Sequence, residues 1–136
     1  MQNLIISNLD YSRIRMRIAL NQKHDSQAYG DVEKRISDLA GACILEPSEI
    51  PEDVITMNSK VLIRDLNHNK TLKVQLVYPE DADHSKNRIS IFSPIATAIL
   101  GNKVGDIVNW NTSEGNIKIK IECILYQPEA LGDYHL

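Results

Sequence analysis

The sequence predicts an α+β protein: a short N-terminal antiparallel helical hairpin, a coiled coil of two arms, followed by a domain with a five-stranded, antiparallel-type sheet and one short helix. Three observations carry this reading. Apolar residues recur at helical spacing up to residue 43 and at a period of two beyond residue 60. The change falls at Glu46-Pro-Ser-Glu-Ile-Pro-Glu-Asp53, where two prolines and four acidic residues mark a boundary. Finally, Ser93-Pro-Ile-Ala-Thr-Ala-Ile-Leu-Gly-Asn-Lys-Val-Gly-Asp106 spells a helix with both ends specified. The chain therefore divides into a hairpin over 1–45, a linker over 46–55, and a second domain with a C-terminal tail over 56–136.

Taken in order, Leu4-Ile-Ile6 reads as a short strand or a hydrophobic lead-in. Ser7 or Asn8 then offers a helix cap, and Leu9 to Leu20 holds good helix formers with Tyr11, Ile14 and Ile18 at helical spacing. A strand competes for part of this segment, because Arg13-Ile-Arg-Met-Arg-Ile18 alternates polar and apolar residues; the cap and the residue types favour helix. Asn21 to Gln27 has no apolar anchor and reads as an exposed connection. A second helix runs from Tyr29 or Gly30 to Cys43, with Val32, Ile36, Leu39 and Cys43 forming the seam of an antiparallel pair. Each arm would be only about 20 Å long at 1.5 Å per residue.

Beyond the boundary, Val61 and Ile63 belong to one strand, Asn67-His-Asn69 to a turn, and Leu72, Val74, Leu76 and Tyr78 to a second strand, making a hairpin. Pro79 to Asn87 is a polar loop, and Arg88-Ile-Ser-Ile-Phe92 is the third strand. In the helix that follows, Ser93 is the expected cap, Pro94 suits the first helical position, Ile95, Ile99 and Leu100 make the apolar face, and Gly101 supplies the left-handed stop. Ile107 to Trp110 and Ile117-Lys-Ile-Lys-Ile-Glu-Cys123 complete five strands; the last alternates cleanly, with one face buried and one wet. The tail from Gln127 is not a strand, and Tyr134 and Leu136 are expected to dock back.

A chain of 136 residues suits one domain, or one with an appendage. No apolar run approaches the roughly 18 residues of a membrane span, and the start lacks the charged and apolar regions of a secretory signal, so a cytoplasmic, membrane-free protein is expected; a monomer is also expected, although the sequence does not fix oligomeric state. Cys43 and Cys123 match no metal spacing and read as reduced, buried thiols, Cys123 packing on an apolar strand face. A formal charge of −3 gives no general attraction to nucleic acid. His24, His68, His84 and His135 share no ligand spacing, so no metal is expected. Nucleotide, acyl-transfer and kinase motifs are absent, and Ser93 is accounted for as a cap rather than a nucleophile. No catalytic residue and no cofactor follow. What remains is a surface: Arg13, Arg15 and Arg17 on the first helix, with Lys23 near the tip, form either a basic arm or simply a solvated helix face. An aromatic content of 5% makes an aromatic-lined pocket hard to build.

Ile89-Ser-Ile-Phe-Ser-Pro-Ile-Ala-Thr-Ala-Ile-Leu-Gly-Asn-Lys-Val-Gly-Asp-Ile-Val108 is similar to the signature of the C-terminal domain of the GreA/GreB family, an FKBP-like α+β domain of bacterial transcription elongation factors. Asp53-Val-Ile-Thr-Met-Asn-Ser-Lys-Val61, Leu76-Val-Tyr-Pro79 and Tyr126-Gln-Pro-Glu-Ala-Leu-Gly-Asp-Tyr134 resemble a shorter Gre-related regulator and extend the resemblance over nearly the whole chain, most weakly over residues 1–30. The resemblance implies a partner, RNA polymerase, bound near the rim of its secondary channel through Ile91, Phe92, Ser93, Pro94 and Ile95, with the hairpin pointing toward the channel. It further implies competition with Gre-type factors and only indirect association with DNA, through the polymerase.

The chain departs from the Gre pattern at the hairpin tip, where Lys23, His24, Asp25 and Ser26 replace an adjacent acidic pair. A lone carboxylate beside a lysine is a poor Mg²⁺ ligand set, and the arms are short, so no stimulation of transcript cleavage is expected. The resemblance to that shorter regulator also implies an effect on nucleoside diphosphate kinase levels, expected to be indirect because nothing here resembles a phosphate or nucleotide site. Two other functions stand beside this one: an FKBP-type prolyl isomerase or chaperone, and nucleic-acid binding through the basic arm.

Overall fold

Ser7 opens the first helix of the computed structural model, which describes residues 4–21, 43–112 and 115–133. Its Oγ accepts the Asp10 N–H at 3.0 Å, satisfying one of the donors that a helix start leaves unpaired. Helix α1 follows over Asn8–Asn21. Burial decides between the two periodicities: Ile14 and Ile18 are 0% and 5% exposed, whereas Met16, which a strand would place on their side, is 63% exposed.

Strand β1, Ile5–Ser7, leads straight into α1 and pairs in parallel with β2, Cys43–Leu45. This corrects the placement of Cys43 at the end of a second helix and as a buried thiol: it lies in a strand and is exposed. Step counting gave it a seam position, but β1 has backbone groups to satisfy, and Cys43 N–H donates to Leu4 C=O at 3.0 Å. Residues 22–42, including the tip residues Lys23, His24 and Asp25 and the rest of the expected second arm, lie outside the described residues, as do Tyr134 and Leu136.

The main sheet contains β3 (Lys60–Asp65), β4 (Lys70–Val77), β5 (Arg88–Ser90), β6 (Ile107–Thr112) and β7 (Gly115–Tyr126), in the order β5-β4-β3-β7-β6. Contacts β3/β4, β3/β7 and β6/β7 are antiparallel, but β5 runs parallel to β4, so the sheet is mixed and the antiparallel expectation is corrected. The cause is the polar loop after β4. It forms 3-10 turns over Pro79–Asp81 and His84–Lys86, closed by Asn87 in the left-handed region (φ 56°), and returns the chain to begin β5 beside Gln75. The third strand is also shorter than expected, since the backbone turns after Ser90.

β7 alternates as its sequence predicts as far as Ile121 and then changes face. Ile63 pairs with Ile121, but Leu62 pairs with Cys123 and Val61 with Ile124. The irregularity puts Ile124 against the core and Cys123 on the opposite face beside Leu62, which corrects its expected packing position. A one-residue slip exchanges the two faces of a strand, and alternation alone carries no sign of it.

Helix α2, Pro94–Ile99, keeps its proline at the first turn and ends at Gly101, whose φ is 82°. Ser93 occupies the expected N-cap position, but its side chain makes no capping bond. Its hydroxyl instead donates backward to Ser90 C=O at 2.7 Å, while its own carbonyl receives Thr97 N–H. One apolar core joins α1, α2 and the sheet: Leu4, Ile6, Ile14 and Ile18 pack with Ile55, Met57, Val61, Ile63, Leu76, Ile99, Ile119 and Ile121.

Candidate functional site

The turn between β5 and α2 carries the segment for which the family resemblance implies docking, and its backbone is tied by several hydrogen bonds. Phe92 N–H donates to Ser90 Oγ at 3.1 Å, and Ser90 C=O accepts both Ser93 N–H at 2.9 Å and the Ser93 hydroxyl at 2.7 Å. Thr97 Oγ1 lies 2.7 Å from Ile91 C=O and 2.9 Å from Ser93 C=O, so its proton ties the turn to the helix. Below the turn Ile91 and Ile95 are 1% and 8% exposed and belong to the core. Phe92 and Ser93 are half-buried and Pro94 is exposed. Of the five residues, three therefore reach the surface and two lie in the core beneath them.

The arginines of α1 do not form a common outward surface. Arg17 packs its guanidinium over the Tyr78 ring, 3.8 Å from the centroid, and pairs with Glu80, with Nε 3.1 Å from Oε1. The pairing holds the Glu80 carboxyl below its usual range. Arg13 interacts with the Tyr78 hydroxyl and with Asp10. Arg15 alone points along the outside of the helix, its Nη1 3.2 Å from the Tyr11 hydroxyl. Arg17→Ala is expected to lower stability by about 1 kcal/mol, measured by urea unfolding, because it removes a ring contact and a partly exposed ion pair. Arg15→Ala should stay within about 0.5 kcal/mol.

A buried polar cluster that sequence reasoning missed joins α1 to the domain. Asp10 is 1% exposed; its Oδ2 accepts Met57 N–H at 3.1 Å, and its Oδ1 accepts the Tyr78 hydroxyl at 3.3 Å. Desolvation by burial pushes its carboxyl up to about 7, reinforced by the charge of Glu129 and opposed by the Met57 N–H, Arg13 and Tyr78. Nearby, Thr56 Oγ1 donates to Glu129 Oε1 at 2.7 Å and lies 2.8 Å from Ser59 Oγ, whose oxygen also accepts Thr56 N–H. Gln127 Nε2 donates to Pro51 C=O and Val54 C=O at 2.7 and 2.6 Å. The segments 51–59 and 127–129 thus meet through bonds between residues more than seventy apart in sequence. No local pattern distinguishes Asp10 from an ordinary acid in a first helical turn.

Among the described residues no group of three or more His, Cys, Asp or Glu could hold a metal ion, and no helix is long and apolar enough to cross a membrane. His68 is used locally, its Nδ1 2.8 Å from Asp65 Oδ2 within the β3–β4 turn.

A mixed five-stranded sheet carrying one short helix after a Ser-Pro turn defines the class. Residues 50–126 match the family model described as transcription elongation factor, GreA/GreB, C-term, and the chain belongs to the GreA/GreB family. The regulator of nucleoside diphosphate kinase of Escherichia coli (strain K12) is 34% identical over 138 residues, covering 98% of this chain and 96% of that protein. The transcription elongation factor GreA of Clostridium acetobutylicum is 33% identical over 108 residues, 76% of this chain and 67% of that protein. Among solved structures, the prokaryotic transcription elongation factor GreA/GreB from Nitrosomonas europaea superposes with a TM-score of 0.74 at 32% identity, over 91% of this chain and 100% of that one. The relatives are thus named as regulators and transcription factors, not as enzymes.

Proposed function

We propose that this chain is a non-enzymatic transcription regulator that binds RNA polymerase near its secondary channel, competes there with Gre-type factors, and does not stimulate transcript cleavage. The observation that carries the reading is the β5–α2 turn: Phe92, Ser93 and Pro94 stand on a backbone tied by Ser90 and Thr97, over buried Ile91 and Ile95. A contact surface held in one conformation loses little entropy on binding. Membership of a family named for transcription elongation and similarity to a regulator of nucleoside diphosphate kinase support the same reading. An effect on that kinase would then be indirect, through transcription. The absence of an acidic pair in the sequence at 23–26 supports the lack of cleavage stimulation.

Two observations weigh against the other functions. An isomerase of the FKBP type would need an open apolar cleft between helix and sheet, and Ile99 and Leu100, 0% and 1% exposed, fill that space. A nucleic-acid arm would need its arginines free, and Arg13 and Arg17 face Asp10, Tyr78 and Glu80.

Retention of core RNA polymerase on the immobilised full chain tests the proposal. Binding should be displaced by GreA and weakened about tenfold by Phe92→Ala or Pro94→Ala. Full-length chains are required, because deleting residues 1–45 would strip Leu4, Ile6, Ile14 and Ile18 from the core. Polymerase that is not retained, or is retained but not displaced by GreA, would refute this function.

A further inference from the structure

The helices and the core lie on one side of the main sheet, where Ile14, Ile18, Ile95 and Ile99 pack with Val61, Ile63, Val74, Ile119 and Ile121. Alternate residues of the same strands point the other way. They place Lys60, Leu62 and Arg64 of β3 beside Lys73 of β4 and Lys118 and Lys120 of β7, and none of these is buried. The β7 irregularity adds Cys123 opposite Leu62, and Leu125, 52% exposed. Lys60, Lys73, Gln75, Lys86 and Leu125 line a shallow depression of about 160 Å³. Glu122 sits among these cations, its Oε1 2.8 Å from Arg64 Nε, so one pair is internally neutralised and the lysines are in excess. The chain's net charge is −3, and this face gathers six of its fifteen lysines and arginines: Lys60, Arg64, Lys73, Lys86, Lys118 and Lys120.

We propose that this face is a docking surface for an acidic protein segment that carries apolar side chains. The charge identifies the sign of the partner, and the apolar residues identify its kind. Leu62 on the central strand β3, Cys123 on the neighbouring β7, and Leu125 beside them form a small apolar centre within a rim of lysines, the arrangement of a protein interface. A phosphate backbone has nothing to bury against leucine. Single-stranded nucleic acid is held through aromatic stacking, and Phe92 and Trp110 pack against the core instead. This surface shares no residue with the Phe92–Pro94 turn, so it stands or falls separately from polymerase binding.

The test titrates the isotope-labelled full chain with three probes: a short synthetic peptide of alternating glutamate and leucine, polyglutamate of the same length, and a mixed-sequence DNA duplex. The glutamate–leucine peptide should shift the amide signals of Leu62, Lys73, Cys123 and Leu125 and bind about tenfold more tightly than polyglutamate or the duplex, with affinity falling as salt rises. The double variant Lys60→Gln/Lys73→Gln should lose about tenfold toward both acidic peptides. Leu125→Ser should weaken only the leucine-containing one, and both variants should retain native amide dispersion. Unshifted signals at these four residues would overturn the proposal. So would equal binding of polyglutamate, which would make the face a plain counter-charge, or preferential binding of the duplex, which would make it a nucleic-acid surface.

Discussion

Raising the pH from about 4 to about 8 is expected to cost the folded protein stability through Asp10 alone, by up to about 4 kcal/mol, and Asp10→Asn is expected to abolish that loss. In the unfolded chain Asp10 releases its proton near 3.8; in the folded protein, buried in the first turn of α1, it holds the proton until about 7. Between those values the folded state binds more protons than the unfolded state. The contribution is therefore fully present below about 3.8 and is lost as the pH rises through about 7. Arg13, the Met57 N–H and the Tyr78 hydroxyl favour the ionised form but do not offset burial, and Glu129 adds to it. Asparagine keeps an oxygen for the Met57 N–H and has no charge to desolvate. Glu80, Asp65 and Asp83, held below their usual range by Arg17, His68 and Ser85, act with the opposite sign and toward the acid end. The measurement is the difference between wild-type and Asp10→Asn melting temperatures across the range. Parallel curves would show that Asp10 does not carry this dependence.

Ile91→Ala should lower stability by about 3 kcal/mol, since Ile91 is 1% exposed and truncation leaves a cavity beneath the β5–α2 turn. Pro94→Ala, on an exposed residue, should change stability by less than about 1 kcal/mol while weakening polymerase binding about tenfold. The contrast separates residues that touch a partner from those that hold the touching residues in place. Urea unfolding paired with polymerase retention for each variant reads both effects. If Ile91→Ala left stability unchanged but abolished binding, Ile91 would be a contact residue and the assignment of the exposed three would be wrong.

How far the sequence foretold the candidate site depends on the residue. Pro94 was legible because a proline at a first helical turn is a local signal, and Gly101 because a left-handed stop favours glycine. Ser93 misled, because the same hydroxyl can cap forward or donate backward, and Ser90 C=O lay within reach. Apolar alternation was enough to find the strands of the main sheet, most clearly β3 and the first part of β7, where buried and exposed residues alternate. The strand direction of β5 was not, because both directions bury the same residues.

The sequence by itself determined the elements whose information is local: the capped start of α1, the short helix after Ser-Pro, the alternating strands, and membership of the GreA/GreB family through the residues around the Ser-Pro turn. Tertiary structure alone decided the rest. It buried Asp10 of α1 against Met57 and Tyr78, turned Arg17 onto Glu80, and brought Thr56 and Gln127 together with partners about seventy residues away. It also moved Cys123 to the lysine-bearing face through a single irregularity in β7. Burial and charge pairing depend on neighbours distant in the chain, and periodicity along the chain holds no record of them.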